Sequence, residues 1–253
     1  MPYTSYPSLA GQVVFITGGG SGIGAAIVEA FVANKAKVAF VDILEADSRA
    51  LAARCRAVGP EPLFLKCDLT DIAKLQAAMA EVRMSVGPIS VLINNAANDQ
   101  RHSTDTVTPE DWDCSQALNL KHQFFAAQAA RAHMRELGRG AIVNLSSIAW
   151  MIGGSGMVPY ATAKAGIVGM TNSLAREFGS DNIRVNAVAP GAVLTERQRK
   201  LWLTPADIEM FKARQCLHQE LLPKHIASAV LFLASDDSAM LTKQCVVVDA
   251  GLR

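Results

Sequence analysis

The chain has 253 residues, half of them hydrophobic and 19% charged, with a formal net charge of +1. A chain of this size and apolar content can bury a large core, and its length suits a single α/β domain spanning 1–253. The near-neutral balance argues against a nucleic-acid binder, and the densest basic cluster, Arg197, Arg199 and Lys200, reads as a solvated face.

The five cysteines (55, 67, 114, 216 and 245) are scattered, odd in number and never in C-x-x-C spacing. A disulfide framework or zinc site is therefore not expected, and a reducing compartment is. The start, MPYTSYPSL, lacks the basic and apolar segments of a secretory leader. No uninterrupted apolar stretch approaches the length of a membrane span. The expectation is a cytoplasmic protein with no metal, no membrane and no nucleic-acid partner.

Short Val/Ile/Leu/Phe runs alternate with helical patterns. The runs are Val13–Thr17, Lys37–Asp42, Leu63–Asp68, Val91–Asn95, Ala141–Ser146, Ile183–Val188 and Cys245–Asp249. They are nearly continuous rather than alternating, as parallel strands are when helices cover both faces. Helices are expected over 23–34, 45–58, 71–86, 109–137, 159–179 and 223–234. Asp71 and Thr108-Pro109-Glu110 read as helix starts. The alternation predicts a doubly wound parallel sheet with helices on both faces. The least regular stretch, 191–222, follows a strand end and is expected to cover substrate.

The first strand runs into Gly18-Gly19-Gly20-Ser21-Gly22-Ile23-Gly24 and then a helix. Glycines permit positive φ and close backbone approach, and a helix N-terminus attracts a pyrophosphate. Asp42 ends the second strand 18 residues after Gly24, where a carboxylate can accept bonds from both adenosine ribose hydroxyls and repel a 2′-phosphate. At ~4 Å and an effective dielectric near 20, each such repulsion is about 4 kcal/mol before screening, which favours NAD over NADP. Asp68 ends the third strand within reach of an adenine edge.

Tyr160 and Lys164 stand four apart and share a helix face. A lysine ammonium beside a phenol lowers its pKa from ~10 toward the working pH, so the phenolate can act as a base. Ser147 ends a strand 13 residues before Tyr160, and Asn119 is a polar residue inside a helical pattern that needs a partner. Asn94-Asn95-Ala96-Ala97 and Pro190-Gly191-Ala192-Val193-Leu194-Thr195 close the fourth and sixth strands.

Taken in order with T-G-x-x-x-G-x-G, these strings resemble the short-chain dehydrogenase/reductase family over nearly the whole chain. The resemblance implies a seven-stranded Rossmann sheet, a homotetramer and the catalytic set Asn119, Ser147, Tyr160 and Lys164. In it, Tyr160 takes the substrate hydroxyl proton and Ser147 holds the same oxygen. Lys164 lowers the phenol pKa and binds the nicotinamide ribose, and Asn119 anchors a relay water. The implied NAD contacts are Gly18, Ser21, Gly22, Ile23, Gly24, Asp42, Asp68, Leu69, Asn95, Tyr160, Lys164, Pro190, Val193 and Thr195. Ala97, Lys243 and Ala250 depart from the family by replacing expected glycines. The small residues of the 160–179 helix (Ala161, Ala163, Ala165, Gly166, Gly169 and Ala175) suit close helix approach in the oligomer.

Within that family, Asn98-Asp99-Gln100-Arg101-His102, Ser147-Ile148-Ala149-Trp150, Thr195-Glu196-Arg197-Gln198, Gln215-Cys216-Leu217 and Asp249-Ala250-Gly251 resemble bacterial aldose 1-dehydrogenases. That implies oxidation of a cyclic sugar at C1 to a lactone. Asn98, Asp99, Arg101 and His102 follow a strand's carboxyl end, in reach of sugar hydroxyls; the expected sugar contacts are Asn98, His102, Ser147, Trp150 and Tyr160. Two other readings stand beside it: a carbonyl, 3-oxoacyl or polyol reductase with an apolar channel, and a non-catalytic NAD-binding scaffold. The five histidines show no metal-ligand spacing.

Overall fold

The computed structural model describes residues 3–253; the first two residues of the stretch read for a leader lie outside them. The seven apolar runs form β1 (Val13–Thr17), β2 (Lys37–Asp42), β3 (Leu63–Lys66), β4 (Val91–Asn94), β5 (Gly140–Leu145), β6 (Ile183–Pro190) and β7 (Cys245–Val248). They build one parallel sheet in the order β3-β2-β1-β4-β5-β6-β7. β1 and β4 are buried at every position, whereas the edge strands β3 and β7 are only partly covered.

Helices cover both faces. They are α1 (Gly22–Ala33), α2 (Glu45–Cys55), α3 (Ile72–Ser85), α4 (Pro109–Gln116), α5 (His122–Leu137), α6 (Ala149–Ile152), α7 (Val158–Phe178), α8 (Glu196–Leu201), α9 (Pro205–Arg214) and α10 (Pro223–Ala234). One core packs Ile27, Phe31, Ile226 and Val230 of α1 and α10 against Val14, Ile16 and Val143. The other packs Leu75, Met79, Ala127 and Leu174 of α3, α5 and α7 against Phe15, Leu92 and Ile142. Burying both faces is the main source of stability for such a sheet.

Two starts read from sequence are realised. Thr108 and Asp111 exchange bonds in a capping box, and Asp71 accepts the Lys74 N–H. Two expectations change. The single helix over 109–137 is three pieces, because Ala117–Lys121 winds as a π-helical turn between α4 and α5. Such a turn inserts an extra residue and re-aims a side chain, here Asn119, which is 1% exposed. The 191–222 stretch is not irregular throughout, since it carries α8 and α9, capped by Thr195 and by a Thr204–Asp207 box.

The strand order reverses beside β1: the chain moves outward to β2 and β3, then returns to β4. The crevice at the carboxyl ends of β1 and β4 is where ligands bind in such sheets.

Candidate active site

The glycine-rich turn is held from three sides. Gly18 and Gly19 donate to the Val41 carbonyl, and Gly20 donates to Asp42 Oδ2 at 2.8 Å. Asn95 reaches across from the end of β4 and donates to the carbonyls of Thr17 and Gly18. Gly18 has a φ of +67°, and a Cβ on Gly24 would lie 1.8 Å from the Gly18 carbonyl oxygen. Only glycine lets α1 begin this close to β1.

Ser21 precedes α1 but makes no side-chain cap bond, and the first turn of α1 carries no acid. The first-turn N–H groups therefore remain available to an anion at the positive end of the helix dipole. Asp42, 9% exposed, accepts from Gly20 and from Leu44, leaving lone pairs for two further donors. This donor set fits the pyrophosphate and ribose of a dinucleotide. Asp68 is exposed and accepts twice from Thr70, which holds its carboxyl below the usual carboxylate range. Leu69 is buried in the α3-side core, so its side chain serves packing.

Three of the four residues expected to be catalytic, Ser147, Tyr160 and Lys164, come together where β5 meets α7, while Asn119 lies on the π-helical turn and bonds to Asn98. Lys164 is 1% exposed, and its Nζ donates to the Leu145 carbonyl at 2.7 Å and stands 5.5 Å from the centre of the Tyr160 ring. Ser146 donates to the Lys164 carbonyl, so strand end and helix are tied at both neighbouring residues. Ser147 Oγ accepts the Ala149 N–H at 3.1 Å and faces the Tyr160 hydroxyl. Asn119 accepts the Asn98 N–H at 2.9 Å and donates to the Asn98 carbonyl at 3.1 Å.

Burial governs the electrostatics here. It pushes the Lys164 ammonium down to about 7, with the Asp99 carboxylate opposing. It pushes the Tyr160 phenol above its ordinary value, opposed by the bond with Ser147 and reinforced by Asp99. The sequence led us to expect that Lys164 would bring the phenol down. In the protein alone desolvation wins, because both groups lose water in the same pocket.

The cleft over this pair is lined by the polar Asp99, Arg101 and Gln198 and by the apolar Ile148, Ile152, Met157, Leu203 and Phe211, together with Pro190, Val193 and Thr195. Asn98, His102 and Trp150 are not among its lining residues. Asn95, Ala97, Asp99 and Arg101 are among them. The Asn98 carboxamide is engaged by the chain itself, its Oδ1 accepting from the Gln100 N–H and from Arg197 at 2.8 Å. The His102 N–H donates to the Gly156 carbonyl, and Trp150 lies on α6 at 37% exposure.

The segment above the cleft is fastened to this strip. Gln198 donates to Asp99, Arg197 Nε stands 3.5 Å from the same carboxylate, and the Arg101 guanidinium stacks 4.7 Å over Trp202. Among the described residues no helix is long and apolar enough to cross a membrane.

Residues 18–253 match a family model described as enoyl-(acyl carrier protein) reductase, of the short-chain dehydrogenase type. The whole chain is 47% identical to a Rhizobium meliloti (strain 1021) protein assigned as galactose dehydrogenase GalD, covering 99% of it. It is 46% identical to the D-xylose 1-dehydrogenase of Caulobacter vibrioides, over 98% of each chain. A crystal structure assigned as a short-chain alcohol dehydrogenase from Sinorhizobium meliloti 1021 superposes with a TM-score of 0.92 at 29% identity, covering 97% of this chain and 98% of that one.

Proposed function

Because the chain belongs to the short-chain dehydrogenase/reductase family, an oxidoreductase family that uses a nicotinamide cofactor, we propose that it is an aldose 1-dehydrogenase. It would oxidise the C1 hydroxyl of a cyclic sugar to the lactone. The observation that carries this reading is the intact set of Tyr160, Lys164 and Ser147 in a cleft lined by both polar and apolar side chains. A pyranose has the same mixed character, a rim of hydroxyls and faces of C–H bonds. The full-length relatives bearing sugar-dehydrogenase names support it.

When bound, the nicotinamide accepts the hydride from C1. The protein handles the proton. Ser147 holds the O1 hydroxyl against Tyr160, and the Tyr160 oxygen takes its proton as the C1–O bond becomes a carbonyl. Lys164, fixed on the Leu145 carbonyl, would hold the nicotinamide ribose and, when protonated, supply the positive charge that lowers the phenol against its desolvation. Asn119 holds the Asn98 backbone and so the strip that lines the cleft. Asp42, accepting from the turn, would hold the adenosine ribose and favour NAD over NADP.

The 191–222 segment, with α8 and α9, covers the substrate. Assembly is a homotetramer through α7, whose Thr162, Ala165, Gly169 and Ser173 form an exposed stripe of small residues. The five unpaired cysteines suit a reducing cytoplasm.

The apolar lining of Ile148, Ile152, Met157, Leu203 and Phe211 favours one second reading, a carbonyl or polyol reductase. A panel of aldoses, polyols and 3-oxoacyl thioesters with NAD and NADP, read as initial rates, separates the two. Rates confined to aldoses with NAD support the dehydrogenase. Rates confined to thioesters or ketones overturn it.

A further inference from the structure

We propose that Asp99 is the specificity-determining residue for substrate, accepting a hydrogen bond from the hydroxyl on the carbon next to the reacting one. The assignment rests on the aldose reading above and adds to it the group that is recognised.

Four observations meet at this side chain. It faces the cleft, as the third member of the strip Asn95, Ala97, Asp99 and Arg101. Its side chain is only 14% exposed, so a bond made there is formed largely out of water. It is held in place by Gln198 on one oxygen and by Arg197 Nε at 3.5 Å from the other. It lies close enough to the reacting pair for its charge to act on both Tyr160 and Lys164.

An ionised carboxylate only accepts hydrogen bonds, and it has about four lone-pair positions. Gln198 and Arg197 each engage one oxygen, which leaves about two positions for a ligand in the cleft that Asp99 lines. A pyranose whose O1 sits against Tyr160 has one hydroxyl on the adjacent carbon, C2. A carboxylate beside Tyr160 is placed to accept that hydroxyl's proton. Arg101, stacked on Trp202, is the neighbouring donor for a hydroxyl acting as acceptor. The carboxylate also opposes formation of the phenolate, since it raises the phenol of Tyr160.

The test compares D-galactose with 2-deoxy-D-galactose, and D-glucose with 2-deoxy-D-glucose, in wild type, Asp99→Asn, Asp99→Ala and Arg197→Met. A site that hydrogen-bonds a hydroxyl discriminates strongly against the analogue lacking it. Wild-type kcat/KM is expected to favour the parent sugar by about 30-fold or more, falling to under about 5-fold in both Asp99 variants. Arg197→Met loosens the outer hold but keeps the carboxylate, so its preference for the parent sugar persists even where its rates fall. If wild type oxidises these aldoses and the preference survives in the Asp99 variants, Asp99 is a fastening for α8 only and the assignment fails alone. If wild type oxidises no aldose while reducing NAD with another alcohol, the aldose reading fails and this assignment falls with it. Melting temperatures of each variant, measured alongside, identify any loss caused by unfolding, and the parent-to-deoxy ratio is insensitive to the fraction of active enzyme.

Discussion

Asn119 grips the peptide of Asn98 from both sides: its carboxamide oxygen accepts the Asn98 N–H at 2.9 Å and its amide donates to the Asn98 carbonyl at 3.1 Å. The same amide donates to the Ser115 carbonyl at 3.0 Å, one turn back. The π-helical turn thus ties the helix layer to the strip that lines the cleft. Asn119→Leu would leave two main-chain groups without these partners, at a cost of about 1–3 kcal/mol each if they stay unsatisfied. We expect a lower melting temperature and a rise in substrate KM. A variant with native stability and native KM would show that the loop holds itself.

With Tyr160 as the proposed base, Tyr160→Phe should reduce turnover by about 10³-fold, within the usual range for a general base. The phenyl ring keeps the packing beside Lys164, and cofactor affinity, followed by fluorescence quenching, should change little. Turnover within a few-fold of wild type would reject the mechanism.

The sequence carried the sheet well because the strands are continuous apolar runs bounded by turn residues. β1 and β2 were readable to the residue, since Thr17 and Asp42 are the polar side chains that close them. Two things were hidden for physical reasons. The break at Ala117–Lys121 has no proline or glycine to mark it; it is made by the tertiary bonds of Asn119. Which of the polar residues 98–102 line the cleft depends on the path of the loop after β4: Asp99 and Arg101 do so, while Asn98 is taken up by Arg197 and the Gln100 N–H. The base pair was legible as residues but not as electrostatics, because burial of both groups is a property of the fold.

The proposed preference for NAD rests on Asp42. Its carboxylate would face a 2′-phosphate as a like charge, so Asp42→Ala should narrow the preference for NAD over NADP by about 10-fold or more. The same carboxylate accepts from Gly20 and Leu44, so the variant also loses two hydrogen bonds and about 1 kcal/mol or more of stability. Kinetics with both cofactors check the first point and thermal melts the second. A wild-type enzyme that already prefers NADP contradicts this role.

Lys243 stands where the family carries glycine, and the reason for the glycine is visible. Its φ is 65°, in the left-handed region, and its N–H donates to the Val185 carbonyl at 2.8 Å. A side chain there costs roughly 1–2 kcal/mol, offset in part by the lower entropy of a non-glycine unfolded chain. Lys243→Gly should raise stability by up to about 1 kcal/mol, or roughly 2–4 °C in Tm for a chain of this length. A fall in Tm would mean that the exposed lysine side chain contributes more than its backbone strain costs.

His122 is fully buried, and both ring nitrogens lack a hydrogen-bond partner. Burial holds its pKa down to about 3, and the positive charge of Lys164 acts in the same direction. The unfolded chain therefore binds a proton below pH ~6.5 that the folded protein refuses until about 3. Stability from this group is fully present above pH ~6.5 and is lost as pH falls, by about 1.4 kcal/mol per unit, down to the folded value. Carboxylates with depressed values, such as Asp68 and Glu45, add their own losses at lower pH. Comparison with His122→Gln isolates the histidine. Between pH 7 and 5 the wild type should lose about 2 kcal/mol more than the variant, read from urea unfolding at each pH. Parallel curves across that window would mean that His122 gains a proton partner in the folded protein, and that the cavity around its two nitrogens holds more water than its burial implies.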